Sequence, residues 1–126
     1  MSERVDFHRS AYEKLAALPV GERVAIQRAR EKLVALGDRL PFPHQSAVAG
    51  ATRLRELRPR AGRSRWRALY SRTSGGYVVL AIAPEAQVDR AGSDRAVGRA
   101  VRRLADIEDE IDGKDKDHRR RRNPPA

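Results

Sequence analysis

"RLRELRPRAGRSRWRALYSRTSGGYVVLAIA" (residues 53–83) holds three segments of strand-like composition separated by two turn-forming clusters. "PRAGRS" and "TSGG" supply the proline, glycine and serine that favour turn backbone. The stretch predicts strands at 52–58, 65–72 and 76–83, joined as an antiparallel meander. The third, "YVVLAIA", is apolar throughout, the pattern of a strand buried on both faces, so it should be central. In the first two, basic side chains alternate with apolar ones. Strand parity puts Arg65, Arg67 and Leu69 on one face and Trp66, Ala68 and Tyr70 on the other. By the same rule Leu54, Glu56 and Arg58 lie opposite Arg53, Arg55 and Leu57. Arginines therefore point both ways, and only one set can line a single groove.

Working outward, "RVDF" at 4–7 reads as a short first strand. Ser10 and Glu13 have the spacing of a capping box, and Ala11, Leu15 and Leu18 follow at helical intervals until Pro19. A second helix is predicted over 21–36, with Ile26, Ala29, Leu33 and Leu36 as its apolar stripe. Arg23, Arg28, Arg30 and Lys32 lie off that stripe, and Gly37 is the stop. The two helices should form an antiparallel hairpin with one apolar face. Residues 37–52 read as an ordered loop. After the meander, "PEAQVDRAGS" connects to a final helix capped by Ser93, with Val97, Ala100, Val101, Leu104, Ile107 and Ile111 as its stripe. Beyond Gly113, "KDKDHRRRRNPPA" has no apolar periodicity and reads as a disordered tail. The expected architecture is α+β in the order β-α-α-β-β-β-α, a small antiparallel sheet on an N-terminal helical hairpin. The domain covers 1–112 and the basic tail 113–126.

Composition narrows the function. The chain has 126 residues, enough for one domain, with 27 Lys plus Arg against 17 Asp plus Glu and a formal charge of +10. That excess predicts attraction to polyanions, above all nucleic acid. There is no cysteine, which excludes disulfides and zinc–thiolate sites. No apolar run approaches the roughly 20 residues of a membrane-spanning helix, and "MSERVDFHRS" lacks the apolar core of a signal peptide. A small soluble cytoplasmic protein with no membrane partner is the expectation. The one dense carboxylate cluster, "DIEDEIDGKDKD", has no histidine or cysteine spacing for a transition metal, and no glycine-rich phosphate loop is present. No metal or cofactor is expected.

The order of elements, with "GATRLRELR" (50–58), "RWRALY" (65–70) and "YVVLAIA" (77–83), resembles the RelE/ParE superfamily of toxins, most closely its HigB-like branch. The resemblance spans about residues 3 to 111. It implies a small basic ribonuclease that enters the ribosomal A site and cuts mRNA there. The implied partners are the ribosome, mRNA and a cognate antitoxin, often a helix-turn-helix protein. Arg67 falls on the family's arginine in aromatic-Arg-x-x-Tyr, which contacts the phosphate at the cleavage position. Tyr70 falls on the tyrosine closing that motif, and Glu56 with Arg58 falls on the Glu-Leu-Arg pair. Two departures stand out. After the last strand, where many ribonuclease members carry basic residues, this chain reads "APEAQVDRAG". Where RelE-type enzymes carry lysines, it has Leu54 and Glu56.

Cleavage of RNA by its own 2′-hydroxyl needs a base for that hydroxyl, cations for the phosphorane and an acid for the leaving oxygen. Arginine suits the second task, because its planar fork stays charged, and for that reason serves neither of the others. Arg67 and Arg58 are the candidate phosphate contacts, and Glu56 or His44 the candidate proton carriers. Arg65, Arg53, Arg55 and Tyr70 are candidate RNA-binding residues. Each has a structural alternative: the arginines solvate the sheet, Glu56 pairs with a neighbouring arginine, His44 is a surface loop residue, and Trp66 and Tyr70 are core. His8 precedes the first helix and His118 lies in the tail. Two rival functions remain. One is a non-catalytic binding protein of the same fold, either a ParE-like gyrase inhibitor or an inactivated RNA-binding relative. The other is a basic nucleic-acid-binding protein unrelated to toxins.

Overall fold

In the computed structural model, which describes residues 3–122, the apolar segment at 76–84 lies between two neighbours in a five-stranded sheet. The elements are β1 (Val5–Phe7), α1 (Arg9–Ala16), α2 (Val20–Leu36), β2 (Gln45–Ala47), β3 (Arg55–Leu57), β4 (Trp66–Thr73), β5 (Gly76–Pro84) and α3 (Arg90–Arg122). The sheet order is β1-β5-β4-β3-β2. β3, β4 and β5 form the predicted antiparallel meander, with Glu56 opposite Leu69 and Arg67 opposite Ala83. β1 pairs with β5 in parallel, so the sheet is mixed rather than antiparallel. β2 adds a second edge beside β3, inside the stretch read as loop. Three residues are too few to show alternation in a sequence.

The sheet is covered on both faces. On one, Ala11 and Leu15 of α1 and Ile26, Ala29 and Leu33 of α2 pack against Leu57, Ala68, Tyr70, Tyr77, Val79 and Ile82. On the other, Ala96, Ala100 and Leu104 of α3 pack against Leu54, Leu69, Val78, Leu80, Ala81 and Ala83. A bulge between Leu69 and Tyr70 sets Leu80 as an extra residue on β5. That shift is why consecutive Leu80 and Ala81 join the same cluster, against simple alternation.

Several boundaries differ from the sequence reading for local reasons. α1 starts at Arg9, and its cap is His8, whose Nδ1 accepts the Ser10 N–H at 3.1 Å. Glu13 pairs with Arg9 instead of closing a capping box. α3 starts at Arg90, where Asp89, not Ser93, accepts the Gly92 N–H at 2.9 Å. Leu36 and Val101 are exposed, and Ala25 and Ala96 take inward places beside the true stripes. The α3 backbone runs through Arg122, into the stretch read as tail. Residues 123–126 of that predicted tail, like residues 1 and 2, lie outside the described residues. Near the hairpin exit, the buried Tyr77 hydroxyl donates to Asp38 Oδ1 at 2.6 Å and accepts from Arg72 at 2.7 Å. Burial, then the Asp38 bond and charge, push the Tyr77 phenol up to about 12.

The His8 cap makes a testable pH signature. Accepting through Nδ1 requires the neutral ring, and burial, followed by the Arg103 charge, holds the imidazole below its ordinary value. A depressed folded value means the contribution is complete above about pH 6.5, the unfolded value, and fades as pH falls below it. His8→Asn keeps a capping acceptor that does not titrate, at a site worth about 1 kcal/mol. Thermal melts from pH 7.5 to pH 5 should show the variant gaining on the wild type as pH falls.

Candidate functional site

Glu56 and Arg67 project from adjacent strands on the face that carries Leu69, and Arg58 follows at the end of β3. Glu56 Oε1 accepts from Ser46 Oγ and from Arg58 Nη1, each at 2.9 Å, and lies 3.8 Å from Arg67 Nε. The structure thus brings Arg58, Glu56 and Arg67 together, as the sequence proposed. It gives them different freedoms. Arg67 is only 4% exposed. Its Nη1 donates to the Ser64 and Trp66 carbonyls at 2.7 and 3.0 Å, and its Nη2 to the Gly62 carbonyl at 3.1 Å. Burial, then the Arg58 charge, lower its pKa, though a guanidinium remains cationic. The Arg67 fork is turned inward and occupied by the loop before its own strand.

That loop is held in a demanding conformation. Arg60 and Ala61 both have φ of 55°, a left-handed region that costs a non-glycine residue about 1 kcal/mol or more. Gly62 follows with φ of 92°, and a Cβ there would come within 2.7 Å of Arg58 Nη2. The turn is fastened to the start of α2. Arg60 donates to Glu22 at 2.7 Å and to the Gly21 carbonyl at 3.1 Å, and Ser64 Oγ donates to the other Glu22 oxygen at 2.6 Å. The Ser64 hydrogen bond, then that of Arg60, holds the Glu22 carboxyl below its usual range.

Arg58 is freer. Its Nε donates to the Pro43 carbonyl at 3.0 Å and its Nη1 to Glu56, while no protein acceptor among the described residues takes Nη2. It also lines a cavity of about 230 Å³ between α2 and the 40–60 segment. Arg28, Lys32, His44 and Arg60 line the same cavity, over Leu40 and Pro59, and no carboxylate does. His44, half-buried, is the one imidazole there. Arg28 and Lys32 were legible only as basic residues off the α2 stripe; their i, i+4 spacing was the available signal.

The remaining candidates are dispersed. Arg53 is exposed and pairs with Glu108 on α3. Arg55 is exposed, its Nε donating to Gln45 at 2.6 Å. Arg65 is exposed on the strand side of the loop. Tyr70 is 3% exposed and meets Tyr77 edge to face within the hairpin-side core. Trp66 packs against the same hairpin-side cluster. Among the described residues, no group of three His, Cys, Asp or Glu side chains is placed to hold a metal ion, and no helix is long and apolar enough to cross a membrane.

The family model described as phage derived protein Gp49-like (DUF891) matches residues 13–84, from α1 through the end of β5. The chain belongs to this family. The Gp49-like match covers Glu56, Arg58, Arg67 and His44, and stops before α3. No curated protein sequence matches the chain. Among solved structures it is similar to a double-arginine mutant of the E. coli toxin RelE in the free state. That alignment has a TM-score of 0.55 at 14% identity, covering 75% of this chain and 97% of that one. It is also similar to the RelE–RelB complex of the archaeon Pyrococcus horikoshii OT3, with TM-score 0.47 and 23% identity over 67% of this chain and 96% of that one. The Gp49-like chain shares the RelE fold, at an identity that speaks for fold alone.

Proposed function

We propose that this protein is the toxin of a type II toxin–antitoxin pair, a cytoplasmic ribosome-dependent endoribonuclease that cuts mRNA and halts translation. Its family, its fold and its charge support this reading. The observation that carries it is Arg58: a guanidinium with a free edge, anchored by Glu56 and Pro43, at the border of a cavity that holds His44 and no carboxylate. In this reading the 2′-oxygen attacks phosphorus as His44 takes its proton, and the bond to the 5′-oxygen breaks. The products are a cyclic phosphate and a 5′-hydroxyl that draws its proton from water or the returning imidazolium. Arg58 stabilises the phosphorane. Glu56, already accepting two hydrogen bonds on one oxygen, positions Arg58 instead of acting as base. Arg67 holds the 62–66 loop. Arg53, Arg55 and Arg65 steer RNA at longer range, and the 113–126 segment adds to that field beyond a toxin domain at 1–112. A cognate antitoxin, of the helix-turn-helix type the resemblance implies, neutralises it.

Induced expression in a bacterium should arrest growth and generate new 5′ ends in ribosome-bound mRNA, with the adjacent small reading frame restoring growth. Arg58→Ala should lower cleavage by about 10²–10³-fold, the cost of removing one oxyanion donor. Expression of a folded protein with neither arrest nor cleavage would reject the reading. One observation favours a second reading: Pro84 ends β5 and Glu85 follows it where the resembled ribonucleases are basic, and Glu85 adds negative charge near Arg67. Arrest without cleavage, together with loss of gyrase supercoiling, would select the ParE-like binding protein.

A further inference from the structure

Phe42 is 69% exposed, the most exposed large apolar side chain among the described residues. It sits between Pro41 and Pro43, whose rings fix the backbone on either side. The Arg58 guanidinium lies over one face of its ring, 5.4 Å from the centroid. The same guanidinium borders the basic cavity, so an open aromatic face and a cluster of cations adjoin through one residue. Arg28 and Lys32, one turn apart on α2, form no ion pair among the described residues. Two like charges at that spacing repel each other, and an anion between them removes the repulsion. Glu22 and Glu56 serve Arg60 and Arg58 from outside the lining, so the cavity keeps its charge.

Size selects the ligand. A cavity of about 230 Å³ falls below the roughly 300–1,000 Å³ of small-molecule pockets. It accommodates a phosphate with part of its sugar and leaves the base outside, beside Phe42. We propose that this cleft is a nucleotide subsite for single-stranded RNA, with the phosphate between Arg28, Lys32 and Arg58 and the neighbouring base stacked on Phe42. Stacking on a preorganised ring is tolerant of base identity and excludes a duplex, whose bases are already stacked. The choice of RNA as ligand rests on the ribonuclease reading above; the juxtaposition of aromatic and cations does not.

The test is fluorescence anisotropy of the purified full chain with a labelled single-stranded hexauridylate. Phe42→Ala should weaken binding about tenfold, within the range for one lost base–aromatic stack. Lys32→Glu should weaken it further and make the salt dependence shallower by about one phosphate contact. Phe42 and Lys32 are surface residues, so unchanged melting curves will show that both variants fold. A blunt RNA duplex of equal length should bind without regard to Phe42, and inorganic phosphate should compete weakly with the single strand. Hexauridylate binding unchanged by both substitutions overturns the subsite, as does equal Phe42 dependence for single strand and duplex. Growth arrest and mRNA cleavage separate the two claims. If both persist while binding ignores Phe42 and Lys32, only the subsite falls. If binding depends on them while neither arrest nor cleavage occurs, the subsite stands and the ribonuclease falls.

Discussion

Arg67→Ala is expected to destabilise the fold by about 3–5 kcal/mol, the range for leaving a buried charged network without one member. Three carbonyls, of Gly62, Ser64 and Trp66, lose their donor at once. Each buried acceptor left unpaired costs about 1–3 kcal/mol, although the exposed part of the loop can recover some of it through water. The loop also loses one of its anchors and is left with those of Arg60 and Ser64 to the start of α2. For a domain of this size the midpoint of thermal unfolding should fall by on the order of 10–20 °C. Arg67→Lys should fall between the two, since one ammonium can replace the charge but not a fork spanning three carbonyls. Urea titrations of both variants, read beside the cleavage assay, decide the role. If Arg67→Ala melts with the wild type yet loses all cleavage, the guanidinium acts on RNA directly and the scaffold assignment is wrong.

The motif around Arg67 was visible in the sequence, but its freedom was not. Alternation placed Arg67 opposite Trp66, and the register that sets Glu56 beside Leu69 puts Glu56 on the Arg67 face. What alternation cannot report is whether that face is an open groove or one covered by the chain's own loop. The cover depends on a turn with two non-glycine residues at positive φ, fastened by Arg60 to Glu22 across 38 positions. Neither local propensity nor charge counting reveals such a contact. Tyr70 shares parity with Trp66 and Ala68, which left it open as core or as a stacking ring, and in the fold it is 3% exposed.

The cleft residues were legible one by one and not as a site. Arg28 and Lys32 fell off the α2 stripe, and Phe42 was not singled out within the 37–52 loop. Only the return of the chain at 40–44, after α2 ends at Leu36, brings them beside Arg58. The meander and the helical hairpin were read correctly because each has a strong repeating pattern of its own. β2 was missed because it is short. The parallel pairing of β1 was missed because it joins residues more than 70 positions apart, a partnership that depends on tertiary packing.

Gly76→Ala tests that pairing, and is expected to cost about 3 kcal/mol or more, as overpacking against a fixed backbone does. "TSGG" identifies a turn without saying which glycine is indispensable. The structure separates them. Gly76 has φ of 142°, and a Cβ there would lie 2.2 Å from the Arg4 carbonyl oxygen. That oxygen accepts the Tyr77 N–H at 2.8 Å and so opens the β1–β5 ladder. Adding a methyl group forces apart the backbone atoms that the ladder holds together, and neither is a flexible side chain that can swing away. Gly75, the neighbouring residue, meets nothing within 4 Å. Gly75→Ala should therefore melt within about 1 kcal/mol of the wild type, inside the range of ordinary surface substitutions. Amide exchange adds the local readout: Gly76→Ala should lose protection along β1 first, while β3 and β4 keep theirs until global unfolding. Equal stability for the two alanine variants would mean that Arg4 does not sit against Gly76, and the parallel edge of the sheet would have to be redrawn.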